Sequence, residues 1–298
     1  MQQKLIIDTD PGIDDAMAIL FALVSQELTL CALSCIYGNV HTPLAAANAL
    51  RLLEFADRRD IPVAAGAESP LVYPLDRVAE AVHGRDGFGN ISLADPLGIT
   101  DPQDAVDLMA EKVLASPGEV TIAALGPLTN LAVLSRRYPD AVAAVRRVVL
   151  MGGAAYTPGN ITPQAEANIY HDPQAAGQVY NAGWPVVMLG LDVTQKTVMS
   201  TAYFESLRRS EFGELIYRMS SFYTDFYGRR KGIDGAYTHD PSVIAYLIDP
   251  EMFATQRGRV EVELSGIYRG RTRFIPDEAG PVDVCVQVES ESLLRMFH

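Results

Sequence analysis

Short apolar runs alternate with longer helical patterns over the first two-thirds of the chain. An apolar run at 5–8 leads into a helical pattern over 14–24, and the rhythm repeats with a strand over 29–37 and a helix over 43–55. A short strand at 62–66, a helix over 103–115 and strands over 120–125, 148–151 and 186–189 continue it. Apolar strands of this kind, separated by helices, predict an open, mainly parallel sheet flanked by helices, an α/β fold. Residues 259–288 instead alternate apolar and polar positions in short stretches, which predicts a small antiparallel addition at the sheet edge near the C-terminus. No Ser/Gly/Pro-rich linker, low-complexity tract or repeat divides the pattern, so residues 1–298 are expected to form one domain.

Open α/β sheets bind ligands beyond the carboxyl ends of their strands. The stretch from Asp8 to Asp15, Asn39, Leu125-Gly126 and Met151-Gly152 all fall at such ends. Composition narrows what binds there. With 48% hydrophobic and 20% charged residues the chain has an ordinary globular composition. A net charge of −13 excludes nucleic acid as a partner, because phosphate contacts need clustered Lys and Arg. Cys31, Cys35 and Cys285 have no metal-like spacing and read as reduced thiols. Neither a signal peptide nor a membrane-spanning stretch is visible, so no membrane partner and a cytoplasmic location are expected.

Asp8, Asp10, Asp14 and Asp15 lie within eight residues, directly after the first apolar run. Like charges at this density repel, and a fold tolerates them when a cation sits among them. Oxygen-only ligands suit a hard ion such as Ca²⁺ or Mg²⁺. Helix capping explains one or two acidic residues ahead of Ala16 but not four. His239-Asp240-Pro241 also precedes an apolar helical stretch. Asp240 as N-cap with Pro241 in the first turn explains it structurally; a late carboxylate returning to the metal is the functional alternative. Asn160, Glu166 and Asn168 lie in a Gly/Pro-containing stretch, as turn residues or as donors and acceptors for sugar hydroxyls. Phe222, Tyr223, Phe226 and Tyr227 have helical spacing, fit either for the core or for stacking on a base. His83 is either solvated or within reach of a ligand.

In order and spacing these motifs resemble the inosine-uridine preferring nucleoside hydrolases over residues 5–288. The likeness is carried by the stretch from Asp8 to Asp15, Gly38-Asn39, His83-Gly84, Gly126-Pro127-Leu128-Thr129-Asn130 and Val149-Leu150-Met151-Gly152-Gly153. It continues through residues 160–168, Gly190-Leu191-Asp192-Val193-Thr194 and His239-Asp240-Pro241. The resemblance implies an N-ribosyl hydrolase that uses one Ca²⁺ and releases free base and ribose from purine or pyrimidine ribonucleosides. It implies Asp10, Asp15, Asp240 and the Leu125 carbonyl as metal ligands, with Asp10 also the general base and Asp8 behind them. Asp14, Asn160, Glu166 and Asn168 would hold the ribose, with Asn39 close by and Met151 among the substrate-binding residues. His239, then His83, are the candidate acids for the leaving base, and Tyr223 and Tyr227 would hydrogen-bond or stack on it. A homotetramer or dimer is also implied.

Two positions depart from the family pattern: Ala167 stands where Phe is common, and Arg85-Asp86 replaces Glu-Ser. The first is expected to enlarge the pocket and the second to alter loop charge and closure. Two rival readings share parts of this pattern. An aspartate-nucleophile phosphatase also carries Asp-x-Asp after its first strand, but lacks support from a nearby Lys or Arg. A nucleoside-binding protein without catalysis would keep the metal ligands but not need Asp10 as base.

Overall fold

Leu5, Ile6 and Ile7 are all fully buried, yet Leu5 and Ile7 pack on one side of the sheet and Ile6 on the other. That is why the first apolar run is continuous: both faces of its strand are covered. The computed structural model describes residues 2–75 and 77–298. Six strands fall within a few residues of the predicted runs: β1 (Gln3–Thr9), β2 (Leu28–Cys35), β3 (Val63–Ala65), β4 (Val120–Ala124), β5 (Arg147–Met151) and β6 (Val186–Leu189). β7 (Val198–Met199) and β8 (Ala236–Tyr237) form a separate antiparallel pair. β9 (Phe253–Val262), β10 (Thr272–Pro276) and β11 (Val282–Val288) complete the main sheet.

The order of that sheet is β10-β9-β11-β6-β5-β4-β1-β2-β3. Every neighbour pair from β3 to β11 is parallel, while β9 runs antiparallel to both β11 and β10. The antiparallel addition expected over 259–288 is thus present, but it extends the main sheet, and β11 pairs parallel with β6. Period-two alternation marks a half-exposed strand without giving its direction, so the parallel partner of β11 was not legible.

The helix Ile13–Val24 packs with Glu211–Lys231 and Asp240–Ile248 on one face of the sheet. Ala105–Ala115, Thr129–Arg137 and Pro173–Tyr180 cover the other. The strand order turns back between β1 and β4, and it is at such a switch point that an open sheet leaves a crevice. The carboxyl ends of β1, β4 and β5 therefore sit side by side. Among the described residues no helix is long and apolar enough to cross a membrane.

Asn130, fully buried in the first turn of Thr129–Arg137, ties this edge together. Its Nδ2 donates to Asp8 Oδ1 at 2.8 Å and to the Cys35 carbonyl at 3.3 Å. Its Oδ1 accepts the Ala67 N–H at 2.9 Å, so β1, β2 and the loop after β3 share one amide. Asn130→Ala removes the partner of the Ala67 N–H and one of the two donors to buried Asp8 Oδ1, and should cost about 2–4 kcal/mol in urea unfolding at neutral pH. A loss under about 1 kcal/mol would show that the amide is not the tie.

Candidate active site

β1 ends at Thr9, and Asp10-Pro11-Gly12 turns the chain into the helix Ile13–Val24. One turn into that helix, Asp15 folds back on the loop that precedes it. Its Oδ1 accepts the Thr9 hydroxyl at 2.5 Å and the Asp10 N–H at 3.2 Å; its Oδ2 accepts the Gly12 N–H at 3.0 Å and Asn39 Nδ2 at 2.8 Å. Asp10 is held from the other side, where Oδ2 accepts the Asn39 N–H at 2.5 Å. Bare glycines make room for it: a Cβ on Gly126 would stand 2.5 Å from Asp10 Oδ1, and one on Gly38 would stand 2.1 Å from Oδ2. Asp8 is fully buried and bonded to Ser34 and Asn130.

Asp14, Asp15 and Asp240 each offer a carboxylate oxygen, all within 4.8 Å of one another. Asp10 opens onto the same cavity, whose volume is about 180 Å³. The close trio includes Asp14, whereas the expected ligand set paired Asp10 with Asp15 and Asp240. Among the described residues, Asp10 Oδ1 and Asp14 Oδ1 are buried without a hydrogen-bond partner. Burial and mutual repulsion push the Asp10, Asp15 and Asp240 carboxyls above the usual range, and burial raises Asp14 to about 6. Unpaired buried oxygens with raised pKa values are what a hard-cation site presents when only protein is counted. The residues fit a divalent ion.

Asp240 is not the N-cap of its helix. His239 occupies that position, without a side-chain cap bond, and Asp240 is the first helical residue. Pro241 then falls second, where its missing N–H costs nothing. The Asp240 carboxylate lies within 4.8 Å of those of Asp14 and Asp15, and capping does not account for it.

Glu166 caps the helix Ala167–His171, accepting N–H groups of Asn168 at 2.9 Å, Ile169 at 3.2 Å and Gly153 at 2.9 Å. Asn168 Nδ2 donates to the Leu125 carbonyl at 2.6 Å and the Met151 carbonyl at 3.0 Å, bridging the ends of β4 and β5. Asn160 is a turn residue as well as a cavity residue, since its Oδ1 accepts the Ala167 N–H at 2.9 Å. Carboxylate, amide and carbonyl oxygens thus form one polar wall beside the acidic cluster.

The opposite wall is aromatic. Tyr223 and Tyr227 are buried on Glu211–Lys231 with ring centres 5.1 Å apart. The Tyr223 hydroxyl donates to Asp14 Oδ2 at 3.0 Å. The Tyr227 hydroxyl meets His239 Nε2 at 2.9 Å, and His239 Nδ1 meets Thr194 Oγ1 at 2.8 Å. His83 Nδ1 accepts the Ile13 N–H at 3.1 Å, which leaves the ring proton of the neutral imidazole on Nε2. Burial lowers His83 to about 4 and His239 to about 3, so both imidazoles are neutral near pH 7. Asp86 explains half of one departure from the family pattern. Its carboxylate accepts N–H groups of Phe88, Asn90 and Ser92 and shapes the loop after His83, while Arg85 points to solvent outside the cavity.

Asp10, Asp14, Asn39, His83, Leu125, Met151, Asn160, Glu166, Asn168, Tyr223, Tyr227, His239 and Asp240 all line this one cavity, whereas Asp15 does not line it but lies beside Asp14 and Asp240. Ala167 and Phe226 line it as well. Sequence reasoning missed Arg77, Val78, Gln195, Lys231 and Tyr237. Tyr237 carried a weak signal, since it stands two residues before His239; its ring lies 5.0 Å from Tyr227. Arg77 and Lys231 sit in exposed stretches with no pattern to mark them.

The family model for inosine-uridine preferring nucleoside hydrolases matches residues 5–295. Uridine nucleosidase 1 of Arabidopsis thaliana is 42% identical over 272 residues, covering 91% of this chain and 81% of that protein. The pyrimidine-specific ribonucleoside hydrolase RihA of Salmonella arizonae is 41% identical, covering 100% and 97%. Among solved structures, the plant nucleoside hydrolase PpNRh1 superposes with a TM-score of 0.96 at 41% identity, over 100% of this chain and 98% of its own. With a full-length family match, two relatives above two-fifths identity and the same fold throughout, the chain belongs to the inosine-uridine preferring nucleoside hydrolase family.

Proposed function

We propose that this protein hydrolyses the N-glycosidic bond of ribonucleosides, pyrimidine ribonucleosides foremost, to free base and ribose. The observation that carries the reading is one cavity in which unpaired buried carboxylates face an amide-and-carboxylate wall on one side and buried tyrosines and histidines on the other. The preference for pyrimidines rests on relatives called uridine nucleosidase and pyrimidine-specific ribonucleoside hydrolase. Ca²⁺ is the proposed ion, held by Asp10, Asp15, Asp240 and the Leu125 carbonyl. When bound, it supplies the positive charge that orients sugar hydroxyls and acidifies water.

The chain's own residues do the rest. Asp10 takes the proton of the attacking water, its carboxylate aimed by the Asn39 N–H. Asp14, steadied by Tyr223, holds the ribose together with Asn160, Glu166 and Asn168. Glu166 and Asp14 also favour the positive charge that builds on the sugar as the bond to the base breaks. On the base side, His239 and Tyr227 form a hydrogen-bonded pair whose N–H or O–H can bond the departing base as negative charge builds on it. Thr194 fixes the far ring nitrogen of His239. Ala167 leaves more room at the mouth than a Phe would.

Residues 1–298 are proposed as one catalytic domain, working as a homodimer or homotetramer in the cytoplasm. A single sheet whose strands span residues 3 to 288 supports the first point, the family likeness the second and the free thiols the third.

Incubation with a nucleoside panel and a reducing-sugar readout tests the reading. Uridine and cytidine should release ribose faster than inosine in excess Ca²⁺, and chelation should stop release. No ribose from any nucleoside would leave only a binding protein. Asp10→Asn should lower kcat by about 10²-fold or more while uridine still binds in calorimetry. A near-normal rate would remove Asp10 as the base.

A further inference from the structure

Two walls of the reaction cavity come from segments far apart in the chain. The loop after β3 carries Arg77, Val78 and Ala79, and the helix Ala167–His171 carries Asn168. Outside the cavity, the turn between β9 and β10 sets Arg269 against both segments. The Arg269 guanidinium carbon lies 3.8 Å from the ring centre of Tyr73, in the loop, and 4.5 Å from that of Tyr170, in the helix. Its Nη2 also donates to the Tyr170 carbonyl at 3.1 Å.

Both the turn and the loop are themselves anchored. The Gly270 N–H donates to the Glu263 carbonyl at 2.8 Å, and the Tyr73 hydroxyl donates to the Leu264 carbonyl at 3.1 Å. Gly270 has φ +78°, and a Cβ there would stand 2.7 Å from Tyr170 Cα, so this turn presses closely on the helix. The loop has a second attachment deeper in the fold. Its Leu71 N–H donates to Asp172 Oδ2 at 2.8 Å, and the same buried carboxylate accepts the Thr129 hydroxyl at 2.8 Å. Removing Arg269 therefore leaves the loop tethered at Leu71 and at Ala79, whose N–H donates to the Asn39 carbonyl at 3.0 Å, and leaves Tyr73, among the described residues, held only by its hydroxyl bond to Leu264.

A planar guanidinium between two rings is a geometry that arginine satisfies and a lysine ammonium does not reproduce. We propose that Arg269 is a positioning residue: stacked between Tyr73 and Tyr170, it holds the loop and the ribose-side helix at the separation that accepts a ribonucleoside. It does not itself line the reaction cavity. The inference rests on the proposed hydrolysis for its kinetic meaning, but the clamp itself is a property of the fold.

Two readouts test it on the full-length protein. Arg269→Ala and Tyr73→Ala should each raise the KM for uridine by about tenfold, with kcat changed less than about threefold, since the walls are displaced and not the reacting groups. The double variant should add little to either single change, and Tyr73→Phe, which keeps the ring, should stay within about twofold of the parent. Hydrogen exchange should quicken together at residues 70–75 and 167–171 in Arg269→Ala. Unchanged KM, additive effects of the two alanines, or faster exchange confined to residues 263–271 would overturn the clamp. A parent protein that releases no ribose would instead defeat the proposed hydrolysis, and the exchange measurement would still decide the clamp.

Discussion

Four carboxylates, Asp10, Asp14, Asp15 and Asp240, are buried within one small space, and everything at the carboxyl end of the sheet is arranged around their mutual repulsion. In protein alone they are driven toward their protonated forms, with burial as the largest cause for each. The sign of the consequence is plain. An acid whose folded pKa rises from 3.8 to about 6, as for Asp14, favours the fold at low pH and loses that contribution as pH rises through this window. At neutral pH the metal-free cluster works against the fold, and a divalent cation among these carboxylates would offset that by taking the place of protons.

The surrounding structure makes the cluster possible. Asp15 accepts four donors from its own loop and Asn39, which fixes the turn from β1 into its helix. Glycines at 38 and 126 let the backbone approach Asp10 more closely than any side chain allows. Asn130 and Asn168 work at neighbouring places, the first tying β1 to β2 from behind and the second tying β4 to β5 from the front. The switch point between β1 and β4 brings these ends together, and His239-Asp240 closes the ring from late in the chain.

Much of this was legible in the sequence because each piece carried a local mark. The four early aspartates were too dense for capping, and the strand runs carried the apolar continuity of a sheet covered on both faces. Asp240 was ambiguous for a physical reason: an Asp before Pro at a helix start is also a good cap, and only the one-residue offset placing His239 at the N-cap resolves it. The direction of β11 was hidden because period-two alternation is blind to strand polarity. Arg77, Lys231, Gln195 and Tyr237 were missed because exposed or isolated residues reach the cavity through tertiary folding alone. The role of Asp86 was equally invisible, since its three backbone bonds exist only once the loop has formed.

The buried, unpaired carboxylates suit a hard cation bound in competition with protons. Calorimetric titration of the metal-free protein with Ca²⁺, repeated from pH 5.5 to 7.5 in buffers of different ionisation heat, tests it most directly. Affinity should strengthen by about tenfold or more across that range, with protons released on binding. Absence of Ca²⁺ binding, or an affinity that does not change with pH, would contradict it.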